Sequence, residues 1–244
     1  MQEEALSQLI PVYQQQDFWN DWNFEHMDVR DVSFRQAEIV CGWLDAIGRT
    51  DLDILEVGCG SGWFCPRLTK YGKVVGTDLA DEVLAEAQRN APEVRYIAGD
   101  FMALDLGTEA FDVLVTLEVL SHVADQRAFI RKLSDHLRPG GVLMMATQNR
   151  FVLQRFNTIP PPAPGQLRRW VDRHELQRLL ETDFLVDEMF TVSPKANRGL
   201  LRLLNSSRLN RPIRAVVGNR VDRFKERLGL GWTLMALAHK RSGV

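Results

Sequence analysis

The chain has 244 residues, 45% hydrophobic and 25% charged, and thirty basic against thirty-two acidic side chains leave a formal net charge of −2. That length and balance suit one globular domain, or one domain with a sizeable insertion, and exclude disordered, collagen-like and disulfide-framework classes. A near-neutral charge gives no general attraction to nucleic acid.

The first 31 residues are polar and aromatic, with Tyr13, Phe18, Trp19, Trp22 and Phe24 close together. They read as a helical lid, or as a helix packed by its aromatic face onto the domain. Residues 32–47 place Phe34, Ala37, Val40, Leu44 and Ile47 on one face at three- and four-residue steps, the pattern of an amphipathic helix. Asp53–Val57 reads as a strand, Trp63–Tyr71 as a helix, Lys73–Thr77 as a strand and Asp81–Asn90 as a helix. Val94–Ala98 and Phe111–Leu117 are further strands. Asp125 is placed to cap a helix with the apolar face Phe129, Ile130, Leu133 and Leu137, which Arg138-Pro139-Gly140-Gly141 must stop. Gly141–Thr147 is the next strand. Then come a proline loop over 159–165, a helix over Trp170–Glu181, a strand over Phe184–Val192 and a last strand over Trp232–Ala238.

Strand–helix alternation with short links predicts an α/β fold, a doubly wound and mostly parallel sheet closed by a C-terminal antiparallel strand pair. The expected division is a lid over 1–31, a core over 32–192, a basic helical insertion over 193–230 and the last core strand in 231–244. Ten Lys and Arg between 195 and 228, against Asp222 and Glu226, give that segment a charge of +8. It reads as a solvated helical insertion, with weak contact to a membrane surface or an anionic substrate as the alternative.

No uncharged apolar run reaches the ~18 residues of a membrane span. The start, Met-Gln-Glu-Glu, is acidic where a secretory signal is basic and then apolar. Cys41, Cys59 and Cys65 are odd in number and unpaired in spacing, so a reducing, cytoplasmic location is expected.

Parallel sheets place ligands at the carboxyl ends of their strands. The first such end carries Leu55-Glu56-Val57-Gly58-Cys59-Gly60-Ser61-Gly62, where glycine allows a sharp turn and close approach of backbone to ligand. The spacing is G-x-G-x-G. A dinucleotide fingerprint needs glycine where Trp63 stands, which disfavours a nicotinamide-linked oxidoreductase. Asp78 ends the second strand, where a carboxylate accepts from both hydroxyls of a ribose. Asp100 follows the third, where it can accept from the exocyclic amine of adenine. Together these predict an adenosine-containing ligand.

Leu55–Gly62, Thr77-Asp78-Leu79, Gly99-Asp100-Phe101, Leu117–Val123 and Leu137–Gly141 resemble the motifs of class I S-adenosylmethionine-dependent methyltransferases, over roughly residues 32–192. Glu118-Val-Leu-Ser-His122-Val and Ala146-Thr-Gln-Asn-Arg150 are most similar to the ubiquinone-biosynthesis type of O-methyltransferase. The resemblance implies a Rossmann-like sheet and S-adenosyl-L-methionine as cofactor, with S-adenosyl-L-homocysteine as product. Gly58, Cys59, Gly60 and Gly62 would face its methionine half, with Glu56 supporting the turn and Arg35 pairing with its carboxylate. Asp78 would hold the ribose, Leu79 and Met102 would sandwich the adenine, and Asp100 with the Phe101 N–H would read its edge. Leu117 would lie near the sulfonium. Where that type carries an E-x-x-E-H run that binds a divalent cation, Ser121 replaces one carboxylate here, so no metal is expected.

His122 follows the fourth strand and is placed either to act as general base or to cap its loop. His26 is a rival base. Tyr13, Phe18, Trp19 and Trp22 would line the acceptor side and exclude water. The expected activity is methyl transfer to a small-molecule acceptor, at a hydroxyl on an aromatic compound. N-methylation of a small aromatic or nitrogen heterocycle is the alternative, and non-catalytic binding of an adenosyl ligand a more distant one. No Asn/Asp-Pro-Pro-Tyr/Phe run follows the fourth strand, which argues against methylation of nucleic-acid bases.

Overall fold

The computed structural model describes residues 10–25, 31–198, 226 and 228–241, without the side chains of 24, 25 and 31. The helices are α1 (Val12–Glu25), α2 (Asp31–Ile47), α3 (Cys65–Leu68), α4 (Asp81–Asn90), α5 (Gln126–His136), α6 (Arg150–Phe156) and α7 (Arg173–Leu180). The strands are β1 (Leu52–Val57), β2 (Gly72–Asp78), β3 (Arg95–Ala98), β4 (Phe111–Leu117), β5 (Leu137–Gln148), β6 (Phe184–Val192) and β7 (Thr233–Lys240).

The seven strands form one sheet in the order β3-β2-β1-β4-β5-β7-β6. The first five are parallel, and β7 runs antiparallel between β5 and β6. This is the Rossmann-like arrangement expected from the sequence. Side chains alternate across a strand, and the core divides accordingly. Ile54, Val113 and Met144 pack with α2 residues Ala37, Val40 and Leu44 on one face. Leu55, Leu114 and Leu143 pack with α5 residues Phe129, Ile130 and Leu133 on the other. Both faces are covered, so the central strands carry apolar residues on both faces.

The register places Val57 beside Thr77 and Thr116, and Leu117 beside Ala146. The carboxyl ends of β1, β2, β4 and β5 therefore share one edge of the sheet. The residues that follow them, Gly58, Leu79, Glu118 and Asn149, gather there.

Some elements differ from expectation. The helix expected over Trp63–Tyr71 is one α-turn, Cys65–Leu68, followed by a 3-10 turn at Thr69–Tyr71. Pro66 fits only the first turn of a helix, and three glycines precede it. Trp170 and Val171 lie outside α7, whose cap is Asp172. Its side chain accepts from Glu175 N while the Glu175 side chain accepts from Asp172 N, a reciprocal capping box. Helix α6 was not expected. Asp125 caps α5 as predicted, accepting from Ala128 N at 2.9 Å.

Helix α1 lies across the carboxyl edge, tied by Asn20 Nδ2 donating to Asp81 Oδ1 at 3.1 Å and by close approach of Gln14 O to Gly165 in the proline loop. Most of the expected basic insertion, 199–225 and 227, lies outside the described residues. Among the described residues no helix is long and apolar enough to cross a membrane.

Candidate active site

The turn after β1 is built on glycine because its backbone is left-handed and crowded. Gly58 has φ +74, its N–H reaches Thr77 O at 2.7 Å, and a Cβ there would lie 2.0 Å from Val119 Cγ2. Asp78 braces the same turn. Gly60 N donates to its Oδ2 at 2.7 Å and Ala80 N to its Oδ1 at 2.9 Å. Each carboxylate oxygen keeps a second lone pair. Burial pushes the Asp78 carboxyl above its ordinary value, against the three backbone N–H groups that lower it. Glu56 sits beneath, with the Cys65 thiol donating to its Oε2 at 2.9 Å, and burial pushes its carboxyl up to about 7.

A cavity of about 1000 Å³ opens over this edge. At one end are Gly58, Cys59, Gly60, Asp78, Leu79 and the turn Asp100–Met102, where Asp100 Oδ1 accepts from Met102 N at 2.9 Å. At the other are Trp19, Trp22, His122, Arg168 and Trp170, and Leu117 and Glu118 lie in the wall as well. Arg168 carries the proline loop. It donates to Pro160 O at 2.7 Å and Gln166 Oε1 at 2.6 Å, and its guanidinium lies 5.4 Å from the Trp170 ring centre.

Four expected residues are outside the wall. Arg35 turns to Glu38 at 3.2 Å on the outer side of α2. Gly62 is a packing position, where a Cβ would meet Tyr96 Oη at 2.7 Å. Tyr13 is 62% exposed, and Phe18 backs Trp19 and Trp22 through ring contacts at 4.8 and 5.9 Å. His26 lies outside the described residues.

His122 closes the 3-10 turn Leu120–His122 after β4. Its Nδ1 meets the Leu167 carbonyl oxygen at 2.7 Å, so Nδ1 carries the proton and Nε2 the lone pair. Trp19 meets the ring edge-on at 4.7 Å. Enclosure lowers the His122 pKa to about 4, the Leu167 bond opposing and Arg168 adding to the shift. The ring is neutral through the physiological range.

Glu118 adopts φ +64, uncommon for any residue but glycine, while its N–H holds Ala146 O at 2.8 Å. Its Oε1 accepts from Gln36 Nε2 at 2.5 Å and Thr233 Oγ1 at 2.8 Å, and among the described residues its buried Oε2 has no hydrogen-bond partner. Burial pushes this carboxyl up to about 7, the Thr233 and Gln36 bonds opposing. Gln36 and Thr233 were not expected here. The one signal for Gln36 was an amide on the helix face that also carries Val40 and Leu44, and it is 1% exposed. The Ser121 hydroxyl donates to Gln148 Oε1. Among the described residues no three His, Cys, Asp or Glu side chains gather as a metal site.

Residues 55–145 match the family model of a methyltransferase domain, and they span the glycine turn, Asp78, Asp100 and the β4–β5 edge. Over these residues the chain is similar to a methyltransferase domain. A ubiquinone biosynthesis O-methyltransferase of Chelativorans sp. is 38% identical over 141 residues, 55% of this chain and 55% of that protein. The chain spans about half the length of the curated relatives it matches first. An S-adenosylmethionine-dependent methyltransferase from Mesorhizobium loti superposes with a TM-score of 0.59 at 21% identity, covering 81% of this chain and 96% of that one. The N-methyltransferase NodS from Bradyrhizobium japonicum, solved with S-adenosyl-L-homocysteine, gives 0.61 at 16% identity over 88% of this chain and 91% of its own. These two likenesses concern the fold.

The residues of this site fit S-adenosylmethionine. A buried carboxylate with free lone pairs suits a ribose diol, and a Cβ on Gly60 would crowd Asn23 Oδ1 at 3.2 Å, so the bare glycine leaves that space open. Leu79 and Met102 supply apolar walls for a base.

Proposed function

We propose that this methyltransferase domain moves a methyl group from S-adenosylmethionine to a hydroxyl on a small aromatic acceptor. The observation that carries the reading is the continuity of one cavity from the Asp78–Gly60 turn to the tryptophans of α1 and the proline loop. When bound, the cofactor supplies an electrophilic methyl group on a sulfonium. The chain's own residues bind, orient and enclose. Asp78 and the glycine turn fix the nucleoside end. Trp19, Trp22 and Trp170 offer flat apolar faces to an aromatic acceptor, and such anchors hold a ring at little conformational cost. Holding two reactants in line and close accounts for much of the rate in a transfer of this kind. Helix α1 serves as the lid that keeps water out. A relative named as an O-methyltransferase, matching across the same core, supports oxygen as the methylated atom.

Calorimetry should give micromolar binding of S-adenosylmethionine and S-adenosyl-L-homocysteine and none of NAD. Labelled cofactor should then transfer its methyl group to hydroxylated aromatics and not to nitrogen heterocycles. Label found only on nitrogen would replace the acceptor assignment. Failure to bind S-adenosyl-L-homocysteine would remove the whole reading.

A further inference from the structure

The end of the cavity lined by Trp19, Trp22 and Trp170 also carries Arg168. The residues on either side of it are pinned to the loop after β4. His122 Nδ1 donates to Leu167 O at 2.7 Å, Arg169 N donates to Ser121 O at 2.7 Å, and Gln126 Nε2 donates to Arg169 O at 2.8 Å. The guanidinium meets two further residues of the wall: Nη2 donates to Gln166 Oε1 at 2.6 Å, and the Trp170 ring centre lies 5.4 Å away. Nη1 donates to Pro160 O at 2.7 Å. A guanidinium has five N–H donors, so three have no partner among the described residues.

Other arginines of the chain are paired with acids. Arg138 holds Asp53 and Asp112, and Arg150 holds Asp172 and Glu175. Arg168 has no carboxylate partner among the described residues, and burial lowers its pKa. The carboxylates that share its cavity are held elsewhere. Asp78 is taken by Gly60 N and Ala80 N, Asp100 by Met102 N and Asp125 by Ala128 N. Glu56 is taken by the Cys65 thiol, and Glu118 by Gln36 and Thr233. Lys195 adds a second positive charge to the wall.

A partly buried cation with unfilled donors is costly unless something answers it. Arginine forms its strongest hydrogen bonds with anionic oxygen. We propose that Arg168 binds an anionic substituent on the aromatic acceptor, so that the chain takes phenolic acids in preference to neutral phenols. This rests on the hydroxylated-aromatic reading above and narrows it. Tryptophan faces alone let a ring slide and turn, whereas a charge at one edge fixes which way it points, and in-line transfer depends on that orientation.

The probes are 3,4-dihydroxybenzoate and its uncharged isostere 3,4-dihydroxybenzamide, titrated by calorimetry into protein saturated with S-adenosyl-L-homocysteine. The wild type should bind the acid roughly 10–100-fold more tightly, the range for hydrogen bonds to a charged group. Arg168→Gln should bring the two affinities together, and the two kcat/KM values with them, while S-adenosyl-L-homocysteine affinity holds. A loosened proline loop would weaken both probes alike and keep their ratio, and an acid preference that survives in Arg168→Gln overturns the inference. Equal binding of the two probes by the wild type also overturns it, and methylation of both then leaves the hydroxyl reading standing. Loss of S-adenosyl-L-homocysteine affinity with the acid preference intact overturns it too, the cation then serving the cofactor's own carboxylate. If Arg168→Gln binds neither probe, Arg168→Lys decides: a retained acid preference supports the assignment, and its absence overturns it. A wild type that binds S-adenosyl-L-homocysteine but methylates no hydroxyl overturns the acceptor reading and this inference with it.

Discussion

Asp78 holds the glycine turn, since Gly60 N and Ala80 N donate to its two oxygens, and in the proposed function it also holds a ribose. Asp78→Ala would remove the ribose acceptor and leave two N–H groups unpaired. A hydrogen bond to a charged group is worth roughly 1.5–3 kcal/mol, and about 1.4 kcal/mol is tenfold in affinity. Two such bonds predict a loss of S-adenosyl-L-homocysteine affinity on the order of 10²-fold or more, read by calorimetry. Asp78→Asn keeps one carbonyl oxygen and should lose less. Unchanged affinity in Asp78→Ala would withdraw the ribose contact. The Asp78 site was legible because it follows a strand at a fixed place in the crossover. The setting of Glu118 was not, because Gln36 lies 82 residues before it and Thr233 lies 115 after it. Only the sheet order, with β7 beside β5, brings the second of these close. Arg35 shows the same limit on one helix. At 3.6 residues per turn it stands about 100° from Gln36, so Gln36 enters the core while Arg35 turns outward to Glu38.

Helix α1 divides its aromatic residues by face: Trp19 and Trp22 reach the cavity, Phe18 packs behind them and Tyr13 points to solvent. An acceptor-side lid should be felt in the acceptor's binding before the cofactor's. Ring pairs are worth roughly 0.5–1.5 kcal/mol beyond their area, so Trp19→Ala should raise the acceptor KM several-fold and leave S-adenosyl-L-homocysteine affinity in place. Parallel loss of both would make α1 part of the cofactor pocket instead. Strands were the most legible elements. The expected spans of β4 and β6 coincide with those found, because a buried strand shows as a short apolar run between turn residues. Short helices were not. Arg150–Phe156 makes two turns, too few for a 3.6-residue period to stand out, and what fixes it is distant: Arg150 reaches Asp172 at 2.5 Å and Glu175 at 2.8 Å on the segment that opens α7.

Across the whole molecule, function is set against stability through buried carboxyls. Glu56 and Glu118, each with an ordinary value of 4.5, are pushed to about 7, and Asp78 is also raised. Between about pH 4.5 and 7 the folded chain keeps protons that the unfolded chain has released, so the stability this confers at acid pH is lost as pH rises through 7. His122 acts in the opposite sense. Its folded value lies below the ordinary 6.5, so between about pH 6.5 and 4 the unfolded chain takes a proton that the folded ring refuses, and stability falls on acidification. Two carboxyls outweigh one imidazole between about pH 4.5 and 6.5, and from 6.5 to 7 they act without opposition. Each group contributes a slope of at most about 1.4 kcal/mol per pH unit, and one kcal/mol moves the melting midpoint by about 2–4 °C in a domain of this size. Thermal unfolding of the ligand-free protein should therefore show a midpoint that declines from about pH 4.5 to pH 7 and levels off above it. Glu56→Gln is uncharged at every pH and keeps an oxygen for the Cys65 thiol, so its decline should be shallower and its midpoint should overtake the wild type above about pH 7. The difference between the two proteins isolates this one carboxyl from all other titrating groups. A constant offset between their midpoints from pH 5 to 8 would mean that Glu56 is ionised in the folded state throughout, and that its burial is balanced by a partner other than the Cys65 thiol.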